Sequence, residues 1–160
     1  MTSYAVQVQQ LDSVPLAVIR RQTRPSELSR VIPEYCGLVW NAVKAQQTKG
    51  GRHIALYWDW GTTIRLEVGV ELLGPFAEQG DVVRSATPAG LVASATHFGP
   101  YGGLRAAHDA LHVYCTEHKR RLAGPSWEIY GHWLPEWDTD PSQIRTDIYY
   151  LLSGSERAPA

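Results

Sequence analysis

Glu128 is the residue whose type and setting point most directly to chemistry. It stands in Trp127-Glu128-Ile129-Tyr130-Gly131-His132-Trp133, where side chains alternate with the period of a strand. Trp127, Ile129 and Trp133 form the apolar set, expected to face the helices; Glu128, Tyr130 and His132 form the other face. The segment from Ile54 to Trp60 presents Ala55, Tyr57 and Asp59 in the same way. The last strand leaves Asp147, Tyr149 and Leu151 opposite Ile148, Tyr150 and Leu152. Glu128, Tyr57, Tyr130 and Tyr149 could therefore converge on an open sheet face. A carboxylate among tyrosine rings suits an organic cation, because the charges pair and each ring face adds about 0.5–2 kcal/mol. Held in an apolar setting, the same carboxylate could also act as a general acid or base. The competing reading is that Glu128 simply meets solvent.

Other groups carry weaker signals. His108, His112, Cys115 and His118 follow helical spacing and could offer two or three ligands to zinc. Leu104, Leu111 and Leu122 lie beside them, so core and boundary histidines explain the pattern; no metal or other cofactor is expected. Gly99-Pro100-Tyr101-Gly102-Gly103 could hold an anion at a helix start. It has neither the Walker pattern nor GxGxxG, and reads as a turn. Asp138 and Asp140 beside Pro141 fit turn chemistry. There is no Gly-x-Ser-x-Gly elbow and no CxxC.

The elements that must position these residues come in two similar sets. Ile54 follows Pro15 by 39 residues, and Trp127 follows Pro88 by 39 residues, with a helical stretch between in each case. A duplicated unit of this kind makes a seam where a ligand pocket fits. Tyr4 to Gln10 and Leu16 to Arg20 read as strands. The stripe Leu28, Val31, Ile32, Tyr35, Leu38, Val39, Ala42, Val43 is an amphipathic helix. Pro33 is expected to kink or split it, and Lys49-Gly50-Gly51 to stop it. Ile54–Trp60 and Thr63–Leu72 follow as strands. In the second half Val82 to Ala95 supplies strand. Leu104 to Leu122 supplies helix, ended by Gly124-Pro125. Trp127 to Trp133 and Arg145 to Leu152 are the closing strands. Two consecutive strands after each helix exclude parallel winding. The expected class is α+β: duplicated β-α-β-β units of antiparallel strands, two long helices on one face, and a ligand cleft between the halves. One domain is expected over residues 1–153, with pseudo-repeats at about 4–73 and 82–153 and a disordered tail over 154–160.

Composition narrows the class. The chain has 160 residues, 44% hydrophobic and 19% charged, with a net charge of −1. That is an ordinary globular balance without the basic face of a dedicated nucleic-acid binder. Six Trp and eight Tyr stand against two Phe. Such rings have an apolar body and a polar tip, which suits a wet, lined cavity. Cys36 and Cys115 read as free thiols of a reducing cytoplasm. No apolar run is long enough for a bilayer, so no membrane partner is expected.

His97-Phe98-Gly99-Pro100-Tyr101 with Leu104, then Gly124-Pro125-Ser126-Trp127-Glu128-Ile129-Tyr130, then Asp140-Pro141, then Thr146-Asp147-Ile148-Tyr149-Tyr150-Leu151, resemble the GyrI-like small-molecule-binding family. That family includes the effector-binding domains of AraC- and MerR-type multidrug regulators. The resemblance implies a pocket between duplicated halves, an acidic residue there at the position of Glu128, and aromatic walls. Tyr57, Tyr130 and Tyr149 are the candidates for those walls by alternation. Trp133 joins them, although alternation turns it, like Trp58 and Trp60, toward the helices. The implied function is binding of amphipathic aromatic or cationic compounds. Two alternatives come from the same resemblance. One is hydrolysis of cyclopropane-type genotoxins by Glu128 with Tyr149; the other is interaction with a protein partner such as gyrase. Only Met1-Thr2-Ser3 precedes the first strand, so no helix-turn-helix and no direct nucleic-acid contact are expected.

Overall fold

The computed structural model describes residues 4–154; the tail expected to be disordered lies, from residue 155 on, outside the described residues. Strand β1 (Gln7–Leu11) does not pair with its neighbour in sequence, β2 (Pro15–Thr23). It pairs antiparallel with β6 (Gly90–Phe98), and β5 (Val82–Ala86) pairs antiparallel with β2. The chain therefore divides into a unit of residues 13–88 and a unit of residues 1–12 with 89–160. Each unit is a β-α-β-β core plus one edge strand. Self-similarity marks the two cores, but says nothing of which core adopts each flanking strand.

In the first unit, α1 is Leu28–Ala45, β3 is Gly50–Tyr57 and β4 is Ile64–Leu72. The strands run β5-β2-β4-β3, all antiparallel. Ala17, Ile19, Val70 and Leu72 meet Val39, Ala42 and Val43 of α1, with Phe76 and Val82 closing the cluster. A short turn of helix at Pro25–Glu27 precedes α1. The helix continues through Pro33 rather than splitting there. Pro33 is exposed, so its ring and the one lost N–H bond fall on the wet side, where water satisfies the orphaned carbonyl. The stop is Gln47, in the left-handed region at φ 58°, with Thr48 N–H closing on the Val43 carbonyl at 3.2 Å. Gly50 and Gly51 instead open β3, where an added Cβ would fall 2.9 Å from the Trp40 ring or from the Glu71 Cβ.

In the second unit, α2 is Leu104–Glu117, β7 is Leu122–Tyr130 and β8 is Arg145–Leu152. The order is β1-β6-β8-β7, again antiparallel. Ala93, Ala95, Ile148, Tyr150 and Leu152 pack on Ala107, Leu111 and Cys115 of α2. This helix ends as α1 does, with Lys119 at φ 55° and Arg120 N–H on the Cys115 carbonyl at 2.7 Å. Gly124-Pro125 lies inside β7, where the register shifts between Leu122 and Ser126. Glycine and proline there serve a bulge and not a helix end. The segment between β7 and β8 carries a short helix, α3 (Glu136–Thr139).

Both cysteines are free. Burial pushes the Cys36 thiol up to about 12, so only about one in ten thousand is thiolate at pH 8. Burial also raises Cys115, partly offset by Arg120. A raised thiol pKa keeps the unreactive form across neutral pH. Labelling of the native protein by a disulfide reagent at pH 8 should therefore run about a thousandfold slower than for free cysteine and rise with pH up to pH 10. Labelling as fast as the unfolded chain would show that helix α1 opens readily.

Candidate functional site

The register between β7 and β8 decides where Glu128 points. Glu128 lies opposite Ile148, Tyr130 opposite Thr146, and Trp127 opposite Tyr149. Opposed residues share a face. Ile148 and Tyr150 pack on α2, so Glu128 and Tyr130 face α2 too, and Trp127 with Ile129 faces away. This corrects the expectation that the apolar set of β7 meets the helix. The physical reason is that β7 is buried on both sides: Ser126 is 0%, Trp127 1%, Glu128 6% and Ile129 6% exposed. With no solvent-facing phase, alternation separates two faces without saying which one the helix covers.

On the helix side a hydrogen-bonded chain runs through four side chains. The Tyr130 hydroxyl donates to Glu128 Oε1 at 2.6 Å. Glu128 Oε2 is 2.6 Å from His108 Nε2, and His108 Nδ1 is 2.6 Å from the Tyr150 hydroxyl. The chemistry of the partners assigns the protons. A carboxylate only accepts, so Nε2 carries hydrogen and donates. Burial first, then the negative fields of Glu128, Asp109 and Cys115, hold the Tyr150 phenol well above its ordinary range. It keeps its proton and can donate to Nδ1. Bonds from neutral donors to a carboxylate contribute about 1.5–3 kcal/mol each, which offsets the several kcal/mol lost on taking the charge out of water. Rings surround the chain: Tyr101 meets Tyr130 edge-on at 5.7 Å, and His112 meets Tyr150 edge-on at 5.0 Å.

Tyr149 stacks on Trp127 at 5.5 Å on the face away from α2, so Glu128 and Tyr149 stand on opposite faces. Tyr57 belongs to the other unit. It is 3% exposed and shares the α1 side of that sheet with Ala55, since it opposes Leu66 as Ala55 opposes Val68. Its ring lies 4.7 Å from that of Trp60. Trp133 lies beyond the end of β7, 51% exposed, with its indole N–H on Asp138 at 3.0 Å. Trp58 donates to Glu67 at 2.9 Å, on the face away from α1.

His108 and Tyr150 are the members of the chain that the sequence reading did not place in the site. The signal for His108 was its position on the apolar stripe of α2, where a polar ring needs a partner. Of the other residues at metal-like spacing, Cys115 is core and His118 bonds the Tyr114 carbonyl at 2.9 Å. Among the described residues no group of three potential ligands could hold a metal. No described helix is long and apolar enough to cross a membrane.

His97, in the same unit, is held by uncharged partners. Its Nε2 faces the Pro100 carbonyl at 3.1 Å and its Nδ1 the Tyr4 hydroxyl at 2.9 Å. A Cβ added at Gly103 would come 3.1 Å from this ring. The Gly99–Gly103 turn is thus a seat for His97 at the start of α2.

Two buried carboxylates on the opposite faces are held differently from Glu128. Glu67 accepts from Arg20 at 3.1 Å, from Trp58 and from Ser85. Asp147 accepts from Thr96 at 2.8 Å and from Arg145 at 3.2 Å. Each has an arginine beside it, a charge that persists at every working pH.

Comparison with solved structures gives the fold a context. The C-terminal domain of EcmrR superposes with a TM-score of 0.76 at 20% identity, over 95% of this chain and 99% of that one. The structure of SAV2435 bound to tetraphenylphosphonium gives 0.64 at 14%, over 98% and 97%. A hydrolase from Listeria innocua gives 0.61 at 9%, over 92% and 91%. At these identities what is shared is the fold. Among curated proteins none matches the sequence significantly. The family model of the GyrI-like small molecule binding domain matches residues 4–152. With nearly its whole length matched, the chain belongs to the family of GyrI-like small-molecule-binding domains.

Proposed function

We propose that this protein binds lipophilic organic cations and that Glu128 supplies the counter-charge. The observation that carries this reading is a buried carboxylate held by Tyr130 and His108 among aromatic rings. A positive charge about 4 Å from a carboxylate gains about 4 kcal/mol at an effective dielectric of 20. A ring face adds about 0.5–2 kcal/mol. The acid therefore contributes most of the preference for cations, and the rings most of the tolerance for shape. The similarity of fold to SAV2435, a protein solved with tetraphenylphosphonium, supports the choice of ligand class.

A second reading is hydrolysis of a reactive small molecule. It is favoured by the Tyr150–His108–Glu128 hydrogen-bond sequence, a hydroxyl, base and orienting carboxylate within 2.6 Å contacts. In that case Tyr130, already on Glu128, stands closer to the chemistry than Tyr149.

Calorimetric titration with tetraphenylphosphonium and with neutral triphenylphosphine oxide tests the first reading. The cation should bind at least about tenfold more tightly, a difference of about 1.4 kcal/mol. Equal affinities, or no binding of either, would sink it. Chromatography after incubation with a cyclopropane-bearing alkylator tests the second: product absent above a Glu128→Ala control removes it for that substrate.

A further inference from the structure

The cation-binding reading leaves open what regulates the charge of the site, and the inference here rests on that reading. Glu128 shares its buried position with an imidazole, the two side chains being 8% and 17% exposed. Two agents can balance such a carboxylate: a cationic guest, or a proton taken up by His108. The contact at Nδ1 permits both. A hydroxyl can donate or accept. With His108 neutral, the Tyr150 hydroxyl donates to Nδ1. With His108 protonated, Nδ1–H donates to the Tyr150 oxygen. No ring nitrogen is orphaned in either state, and no heavy atom has to move. His97 has the same freedom at Nδ1, against the Tyr4 hydroxyl, but its Nε2 faces the neutral Pro100 carbonyl, so a proton taken up there balances no carboxylate.

We propose that His108 selects the charge of the ligand: neutral, it leaves the four-residue chain with one negative charge and open to a cation; protonated, it becomes the internal counter-ion and turns cations away while still admitting uncharged guests. Other titratable groups stand around it, among them Tyr101, edge-on to Tyr130. Tyr130 on β7 and Tyr150 on β8 are phenols within the chain. His97 on β6 has both ring nitrogens engaged. On α2 itself stand Asp109, the buried thiol of Cys115, and His112, exposed and in edge contact with the Tyr150 ring.

The test is calorimetric titration of tetraphenylphosphonium, whose charge does not change with pH, at pH 5 to 8 in buffers of high and low ionisation enthalpy. Wild-type affinity should fall on acidification, by up to about tenfold per pH unit, with up to about one proton released per cation bound in the acid range. His112→Gln should reproduce that behaviour. His108→Gln should bind the cation equally at pH 5 and pH 8 and release no proton. Triphenylphosphine oxide should bind the wild type without a pH trend. Wild-type cation affinity that is flat from pH 5 to 8, or a slope that survives in His108→Gln, overturns the proposal and leaves the binding reading intact. No binding at any pH removes both. If His108→Gln does not fold, wild-type proton release decides alone: its absence overturns the proposal and its presence, retained in His112→Gln, supports it.

Discussion

Glu128→Gln is expected to weaken tetraphenylphosphonium binding by about ten- to a hundredfold at pH 8, about 1.4–2.8 kcal/mol, while changing fold stability little. The two effects separate because of what the carboxylate touches. Its Oε2 faces His108 Nε2–H and its Oε1 faces the Tyr130 hydroxyl. A glutamine can keep its oxygen toward His108 and turn its amide toward Tyr130, whose hydroxyl accepts as readily as it donates. The hydrogen-bonded chain survives and only the charge is gone. The aromatic faces also survive, so weak binding persists. Calorimetry at pH 8 reads the affinity and a thermal melt reads the fold. An unchanged dissociation constant in a well-folded variant would mean that the cation finds its counter-charge elsewhere.

Gly69→Ala is expected to cost the most stability of any single methyl addition among the glycines described. Gly69 opposes Val18 in the β2–β4 ladder. A Cβ there would fall 1.8 Å from the Ala17 carbonyl oxygen and 2.8 Å from Val18 Cα. These are backbone atoms in the buried stretch of β2, where Ala17 and Val18 are 0% exposed, so no side chain can swing aside. β2 would have to leave the sheet locally, at about 3 kcal/mol or more. In a chain of this size that lowers the melting temperature by about 6–12 °C. Gly37 on α1 is the control, because an added Cβ meets nothing within 4 Å. Gly37→Ala should raise stability by about 0.5–1 kcal/mol through helix propensity. A Gly69→Ala variant melting with the wild type would show that β2 yields far more easily than its burial implies.

The shape of each unit was legible before any coordinates. Strand and helix periods identified α1, α2 and β8 within a few residues, and two strands after each helix excluded a parallel sheet. The reading went wrong where a local signal had more than one use. Gly124-Pro125 looks like a helix stop and serves a strand bulge. Pro33 looks like a break, yet on the exposed side of α1 it costs one hydrogen bond. The pairing of β1 with β6 joins residues 79 to 87 positions apart, and no local pattern encodes which of two similar edges a strand will choose.

The site divides in the same way. The amino-acid order alone singled out Glu128 and Tyr130 as neighbours on one strand face, because residues two apart always share a face. It also sent Ile148 and Tyr150 toward a helix. Only the tertiary structure decided that these two pairs share a side, since a shift of one residue in the β7–β8 register would have exchanged Glu128 for Trp127. That choice brings His108 and Tyr150 to the carboxylate and leaves Tyr149 behind the sheet. Alternation is a property of a single strand. Which face is covered depends on how a pair of strands registers and where a helix lies across them, and those are decided by the packing of the whole unit.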